Sequence, residues 1–251
     1  MTGLLCAPHA HAHGSLVDLA VYDRTEGRPL PVYWHQGRAY VVGKPGNEYQ
    51  LSVRNRLRDD VLAVVSVDGV NVVSGETADP RESGYVLGAH RSYSILGWRK
   101  SFAETAAFYF TALSDSYAAR TGRPDDVGVI GVAVFRRRPE PSAIAPLQPF
   151  APAPQSGAAE KRAPGSLPRD AMANPRVAQD QPRLGTGHGR REASYVQQVT
   201  FERASSAPAE TITLYYDSYR NLLARRIIRE WQPPIGPLPR PFPGFVPDPQ
   251  G

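Results

Sequence analysis

The chain has little that would lend it a ready-made chemistry. It carries one cysteine, Cys6, so no disulfide can form within it. No C-x-x-C pair, H-E-x-x-H run or G-x-S-x-G elbow occurs, which removes the usual signatures of zinc ribbons, metallohydrolases and serine hydrolases. The longest apolar run, Val127 to Phe135, is far too short to span a bilayer as a helix. The N-terminus lacks the charged start and apolar stretch of a signal peptide, so a cytoplasmic location is expected. Lysine is scarce, supplying 3 of the 29 basic residues. Arginine's planar fork suits phosphate and carboxylate, although GC-rich coding produces the same bias.

Proline, by contrast, is abundant and unevenly spread. Of 25 prolines, 10 fall in 138–192 and 8 in 231–251. Those stretches lack periodic apolar residues and cannot bury enough surface to offset chain entropy. The expected organisation is a loose tail over 1–15, a β-sandwich core over 16–137, and a disordered Pro/Ala/Arg-rich linker over 138–192. Two strands and a short helix over 193–230 then complete the same sandwich, and 231–251 is a Pro-rich tail. Residues 1–137 hold 15 Lys and Arg against 14 Asp and Glu, whereas 138–251 hold 14 against 10. The folded part is nearly neutral, which argues against a broad nucleic-acid face.

Between the polar ends the apolar residues recur with period two. Tyr49, Leu51 and Val53 alternate with Gln50, Ser52 and Arg54, the pattern of a half-buried strand. Val61 to Val67 is almost wholly apolar and meets Val70 to Val73 across Asp68-Gly69, a strong hairpin signal because both turn residues need positive φ. Leu16–Tyr22, Val32–Trp34, Ala39–Val42, Gly84–Leu87, Ser92–Leu96, Thr105–Thr111 and Val127–Phe135 read as further strands. Tyr195–Arg203 and Glu210–Tyr216 read as strands as well, and Asp217 or Ser218 suits the cap of a helix running to Arg229. Short strands spaced roughly 8–15 residues apart predict an all-β, antiparallel sandwich or jelly roll with a long Pro-rich disordered insertion and one short C-terminal helix.

Several residues invite a functional reading. Gly185-Thr186-Gly187-His188-Gly189-Arg190-Arg191 could wrap backbone amides and two guanidinium groups around an anion, or be a flexible re-entry into the fold. Trp98-Arg99-Lys100 could pair a cation with an indole for recognition, or be an ordinary sheet edge. Asp115, with Asp125 and Asp126, sits in a long connection where carboxylates could hold a hard cation or serve a turn. His9, His11 and His13 could offer imidazoles to a transition metal, yet no further ligands accompany them, so no metal site is assigned. His35, His90 and His188 are scattered and Asp59-Asp60 sits in a polar turn, so no catalytic residue is assigned either.

Five stretches resemble a group of bacterial proteins of no established activity. They are Val64–Gly69, Ser83–Leu87, Gly97–Ser101, Val127–Phe135 and Leu184–Gly189. The resemblance implies no catalytic residue, and no cofactor is expected.

The leading expectation is a non-enzymatic β-sandwich acting as a binding or structural module, with a protein partner and no membrane. A hydrolase or lyase on a jelly-roll scaffold is the rival, and it needs histidines and carboxylates converging in a pocket. Weak anion or nucleic-acid binding through the arginine-rich C-terminal half is a third reading, and salt would weaken it.

Overall fold

The computed structural model describes residues 11–139 and 183–229. The expected linker therefore lies mostly, and the expected Pro-rich tail wholly, outside the described residues. The described chain is mainly β, in two sheets.

In chain order the strands are β1 (Ala12–His13), β2 (Val17–Asp23), β3 (Arg28–Pro29), β4 (Val32–His35), β5 (Arg38–Gly43) and β6 (Glu48–Asn55). There follow β7 (Val61–Val67), β8 (Val70–Asn71), β9 (Tyr85–Leu87), β10 (Ser92–Ile95), β11 (Gly97–Arg99) and β12 (Glu104–Ala112). A 3-10 turn (Leu113–Asp115) and the short helix α1 (Tyr117–Arg120) lead to β13 (Val129–Arg136). After the undescribed stretch come β14 (Leu184–Ala193), β15 (Glu210–Ser218) and α2 (Tyr219–Ala224).

The first sheet runs β1-β2-β6-β12, with β14 on β12 and β3 on β2. Strands β6 and β12 pair directly only at Tyr49/Phe108 and Glu48/Tyr109. Beyond that point they part, and the kinked segment 92–99 fills the gap, β10 pairing with β6 and β11 with β12. The second sheet runs β4-β5-β15-β13-β7-β8, with β9 also on β7. Two hairpins turn as their sequences dictate. Asp68-Gly69 has φ of 52° and 70°, and Gln36-Gly37 has 49° and 74°, the left-handed pair a type I′ turn requires.

The sheets face each other over one interior. Val17, Leu19, Val21, Tyr49, Leu51 and Val53 from the first meet Val65, Val67, Ile130, Val132, Val134 and Leu214 from the second, and all are buried. The second sheet is covered on its outer face too, which explains the near-continuous apolar runs of β7 and β13. Tyr40 packs under Leu222, Ile227 and Ile228. Leu62, Val64, Ala133 and Phe135 pack under Phe201, and the Arg203 guanidinium lies 4.2 Å from the Phe135 ring centre.

Five expectations need correction. Residues 12–13, assigned to a loose tail, form β1 on the edge of the first sheet, with Ala12 buried. Residues 184–192, assigned to the disordered linker, belong to a ten-residue strand paired along β12. Tyr195–Arg203 is not a strand; it is chain without a ladder, whose β-pairing is one isolated bridge, Arg203 to Arg137, beside scattered contacts such as the Val196 amide on the Phe102 carbonyl. The antiparallel rule fails at β5 and β15, which run parallel from Ala39/Leu214 to Gly43/Ser218. The C-terminal helix is capped by Ser218 but stops at Ala224 rather than Arg229, because Arg226 turns left-handed at φ 56°. The amides of Arg226 and Ile227 then bond back to Leu223 and Leu222, a Schellman ending.

Candidate functional site

The glycine-rich string holds the centre of the molecule together. Within β14, residues 185–189 alternate glycine at the odd positions with Thr186 and His188 at the even ones. Gly187 lies opposite Tyr109, whose ring covers it: a β-carbon there would come within 2.1 Å of Tyr109 Cζ. Thr186 lies opposite Phe110 and faces the interior.

Thr186 meets a chain of buried polar groups drawn from five parts of the fold. Its amide donates to Asp68 Oδ2 at 2.8 Å, and its hydroxyl lies 2.6 Å from Tyr216 Oη and 2.7 Å from Tyr49 Oη. Tyr216 donates to Asp68 Oδ1 at 2.5 Å, and the Gly128 amide donates to the same oxygen at 2.9 Å. Because Tyr216 gives its proton to Asp68, Thr186 must give its own to Tyr216 and accept one from Tyr49. With Asp68 ionised every proton in the chain therefore has one direction. Burial pushes the Asp68 carboxyl up from 3.8 to about 6, against the pull of Tyr216 and the amides. Burial likewise carries the Tyr49 and Tyr216 phenols well above their usual range. Asp68, Tyr49 and Thr186 are wholly buried and Tyr216 nearly so. The network's chemistry is cohesion: it ties β6, the β7–β8 turn, β14, β15 and the residue before β13.

The other singled-out residues are bound into the fold in similar ways. The Trp98 indole N–H donates to the Gly187 carbonyl at 3.1 Å, and the ring stands edge-on to Phe108. Arg99 donates to the Tyr85 hydroxyl and to Ser194, tying down the start of the extended chain. Lys100 is exposed. Arg190 makes a two-bonded pair with Glu48, and Arg24 makes another with Glu192. Arg191 lies 3.6 Å from Glu104. Gly185 packs against Ser116 and Val127, and Gly189 against the Ala107 carbonyl. His188 sits beside Tyr117, ring centres 5.6 Å apart; burial, with Lys100, Arg191 and Arg120 nearby, holds its imidazole below the ordinary value. The structure thus gathers Trp98, Gly187, His188 and Tyr117 at one end of the interior, with Asp115 exposed in the adjoining turn. Arg190 lies on the opposite face of β14. His35 is on β4 and His90 in the β9–β10 turn, without a shared carboxylate. His9 lies outside the described residues, and His11 is at the surface just before β1. Among the described residues no three metal-competent side chains cluster, and no helix is long and apolar enough to cross a membrane.

Surface concavities lie elsewhere. A cleft of about 270 Å³ lies over Gly128, Leu184 and Tyr216, with Asp125, Asp126 and Asp217 beside Arg183 and Arg225. A larger one, about 430 Å³, opens beside β4 and β5. Leu30, Pro31, Tyr33, Val42, Pro45 and Tyr219 give it apolar and aromatic walls. Its acids are already engaged. Asp23 accepts from the Asn47 amide and the Glu26 backbone, while Lys44 and Arg28 both donate to Glu26 and hold its carboxyl below the usual range. Arg220, exposed at the rim, makes no hydrogen bond or ion pair among the described residues. The sequence offers no warning of this cleft, because Tyr33 and Tyr219 come together only through the parallel pairing of β5 and β15. Three comparisons, with protein-family models, curated proteins and solved structures, found no match to this chain.

Proposed function

We propose that this chain is a non-enzymatic interaction module, a jelly-roll-like sandwich that engages a protein partner through the cleft beside β4 and β5. The observation that carries this reading is the contrast between a filled interior and an open, aromatic-walled outer surface. Most polar groups inside the sandwich bond to one another, as the Asp68 network does, and among the described residues no histidine lines either cleft beside a carboxylate. The cleft offers apolar surface, two tyrosines and the Arg220 guanidinium, unengaged among the described residues, the ingredients of recognition rather than of turnover. A hydrolase or lyase would need His35, His90 or His188 to share a pocket with a carboxylate.

The test compares partner recovery by the wild-type chain and by Tyr33→Ala/Tyr219→Ala, both checked for native unfolding behaviour. Loss of a specific partner in the double variant is expected. Equal recovery by both proteins, or hydrolytic turnover by the wild type alone, overturns the reading.

A further inference from the structure

We propose that Lys100, Arg120, His188 and Arg191 form a binding site for a phosphate group, free or as a monoester, at the Trp98 end of the sandwich. The site is separate from the cleft beside β4 and β5 and does not depend on the role of that cleft.

Three strings far apart in sequence meet there. The first is β14. Two of its residues, Gly189 and Arg190, stand against Ala107 alone, so the strand bulges between the pairs His188/Phe108 and Arg191/Ala106. Phe108 and Ala106 are buried, and the bulge brings His188 and Arg191 to their face while Arg190 turns the other way, to Glu48. Without the extra residue Arg191 would fall on the outer face.

The second string is 97–100. Trp98 lies opposite Ala106 and is buried. Alternation carries Lys100 to the same face, where its amide still bonds the Glu104 carbonyl at 3.0 Å. The third is α1. Ser116 caps it, and Tyr117 sets its ring beside both His188 and Trp98. Arg120, three residues on, lies on the same side of that turn.

The result is three cations around one imidazole. Lys100, Arg191 and Arg120 all disfavour its proton, which burial already opposes. Like charges gathered in this way repel, and the fold does little to relieve them. Neither the Lys100 ammonium nor the Arg120 guanidinium has a hydrogen bond or ion pair among the described residues. Arg191 meets Glu104 at 3.6 Å, but both side chains are exposed and water screens the pair. Arg123 is taken by the Gly75 carbonyl and Glu76, and Asp115 stays exposed before α1. A phosphate dianion answers this surplus better than a carboxylate, which brings one charge. Guanidinium forks match its oxygens, and the imidazole, once protonated, adds a further charged donor. Glu104 and Asp115 border the cluster and would repel the next phosphates of a nucleic-acid strand, so the occupant is a single phosphate group.

The test uses the full chain. Amide and imidazole signals are recorded as sodium phosphate or phenyl phosphate replaces sodium chloride at constant ionic strength. Saturating shifts confined to 98–100, 117–120 and 188–191 are expected. The His188 titration should move upward, because a bound dianion favours the imidazolium. Lys100→Gln/Arg120→Gln changes two exposed side chains and is expected to unfold as the wild type does, while weakening binding by roughly tenfold and reducing the His188 response. Tighter binding of phenyl phosphate assigns the site to a monoester, and tighter binding of phosphate assigns it to the free anion. Shifts spread over the surface arginines, an unmoved His188 or wild-type affinity in the double variant overturns the proposal. So does saturation by a DNA oligonucleotide alone.

Discussion

Asp68 does two things that rarely fall to one residue. It holds a left-handed turn position, at φ 52°, and its carboxylate is the terminus of the buried hydrogen-bond chain. Asparagine tolerates the same backbone but presents an amide N–H₂ to a site where Thr186 already donates. Asp68→Asn is therefore expected to destabilise the fold by about 1–3 kcal/mol. The pH dependence has a definite sign. The carboxyl titrates near 3.8 unfolded and about 6 folded, so its contribution is complete below 3.8 and is lost as pH rises through 6. A shift of that size corresponds to about 3 kcal/mol. Glu26, Glu48 and Glu210, with lowered values, act in the opposite sense but equally in both proteins. Urea unfolding between pH 4 and 7 should show wild type losing its advantage over Asp68→Asn as pH rises; parallel curves would contradict the assignment.

Two glycines mark where backbones or rings come too close for any side chain. At Gly187 the obstacle is Tyr109, a ring that can swing away; at Gly97 it is the Ala106 carbonyl, 1.9 Å from the would-be β-carbon. Gly97→Ala is therefore expected to cost more than Gly187→Ala, which should itself cost roughly 1–3 kcal/mol by overpacking. Tyr109→Ala should recover part of the Gly187→Ala loss and none of the Gly97→Ala loss, read by thermal unfolding of the double variants.

At the scale of elements, legibility followed side-chain pattern. Strands β6 and β15 declare themselves because Tyr49, Leu51 and Val53, and Ile212, Leu214 and Tyr216, alternate between core and solvent. Hairpin β7–β8 was legible through Asp68-Gly69. Strand β14 was not, because its alternation sets glycine against Thr186 and His188 and leaves no apolar rhythm to read. The stretch from Tyr195 to Arg203 misleads for the opposite reason. It has β-formers, but Tyr195 and Val199 remain exposed and no full ladder forms. The end of α2 depends on Arg226, a residue with no preference for the left-handed conformation it holds. Arg226→Gly is expected to raise stability by roughly 1 kcal/mol while preserving the Leu222–Ile227 contact. Unchanged or lowered stability would mean that the arginine side chain contributes more than its backbone costs.

For the molecule as a whole, the decisive fact is that β15 lies between β5 and β13. Sequence order puts these three far apart, and no local pattern announces a parallel pairing between an N-terminal strand and a C-terminal one. A chain ending at residue 139 lacks both β14 and β15, so its second sheet divides into a β4–β5 pair and a β13–β7–β8–β9 group. It also lacks the Thr186 and Tyr216 partners of Asp68, leaving a buried carboxylate with backbone donors alone, the amides of Gly128 and Val129. Glu210 would be missing too. Burial opposes its ionisation, but the Ser15 hydroxyl and the amides of Ser15, Leu16 and Val17 overcome that and fix the entry to β2. The 1–139 fragment is thus expected to show no cooperative unfolding. Adding 183–229 as a separate peptide should restore it, because the interior needs the two strands and not the covalent link between them. Restoration would be read as a sigmoidal denaturation curve that appears only on mixing. A cooperatively folded 1–139 fragment would show instead that the first half carries its own interior and that β15 is an addition to it.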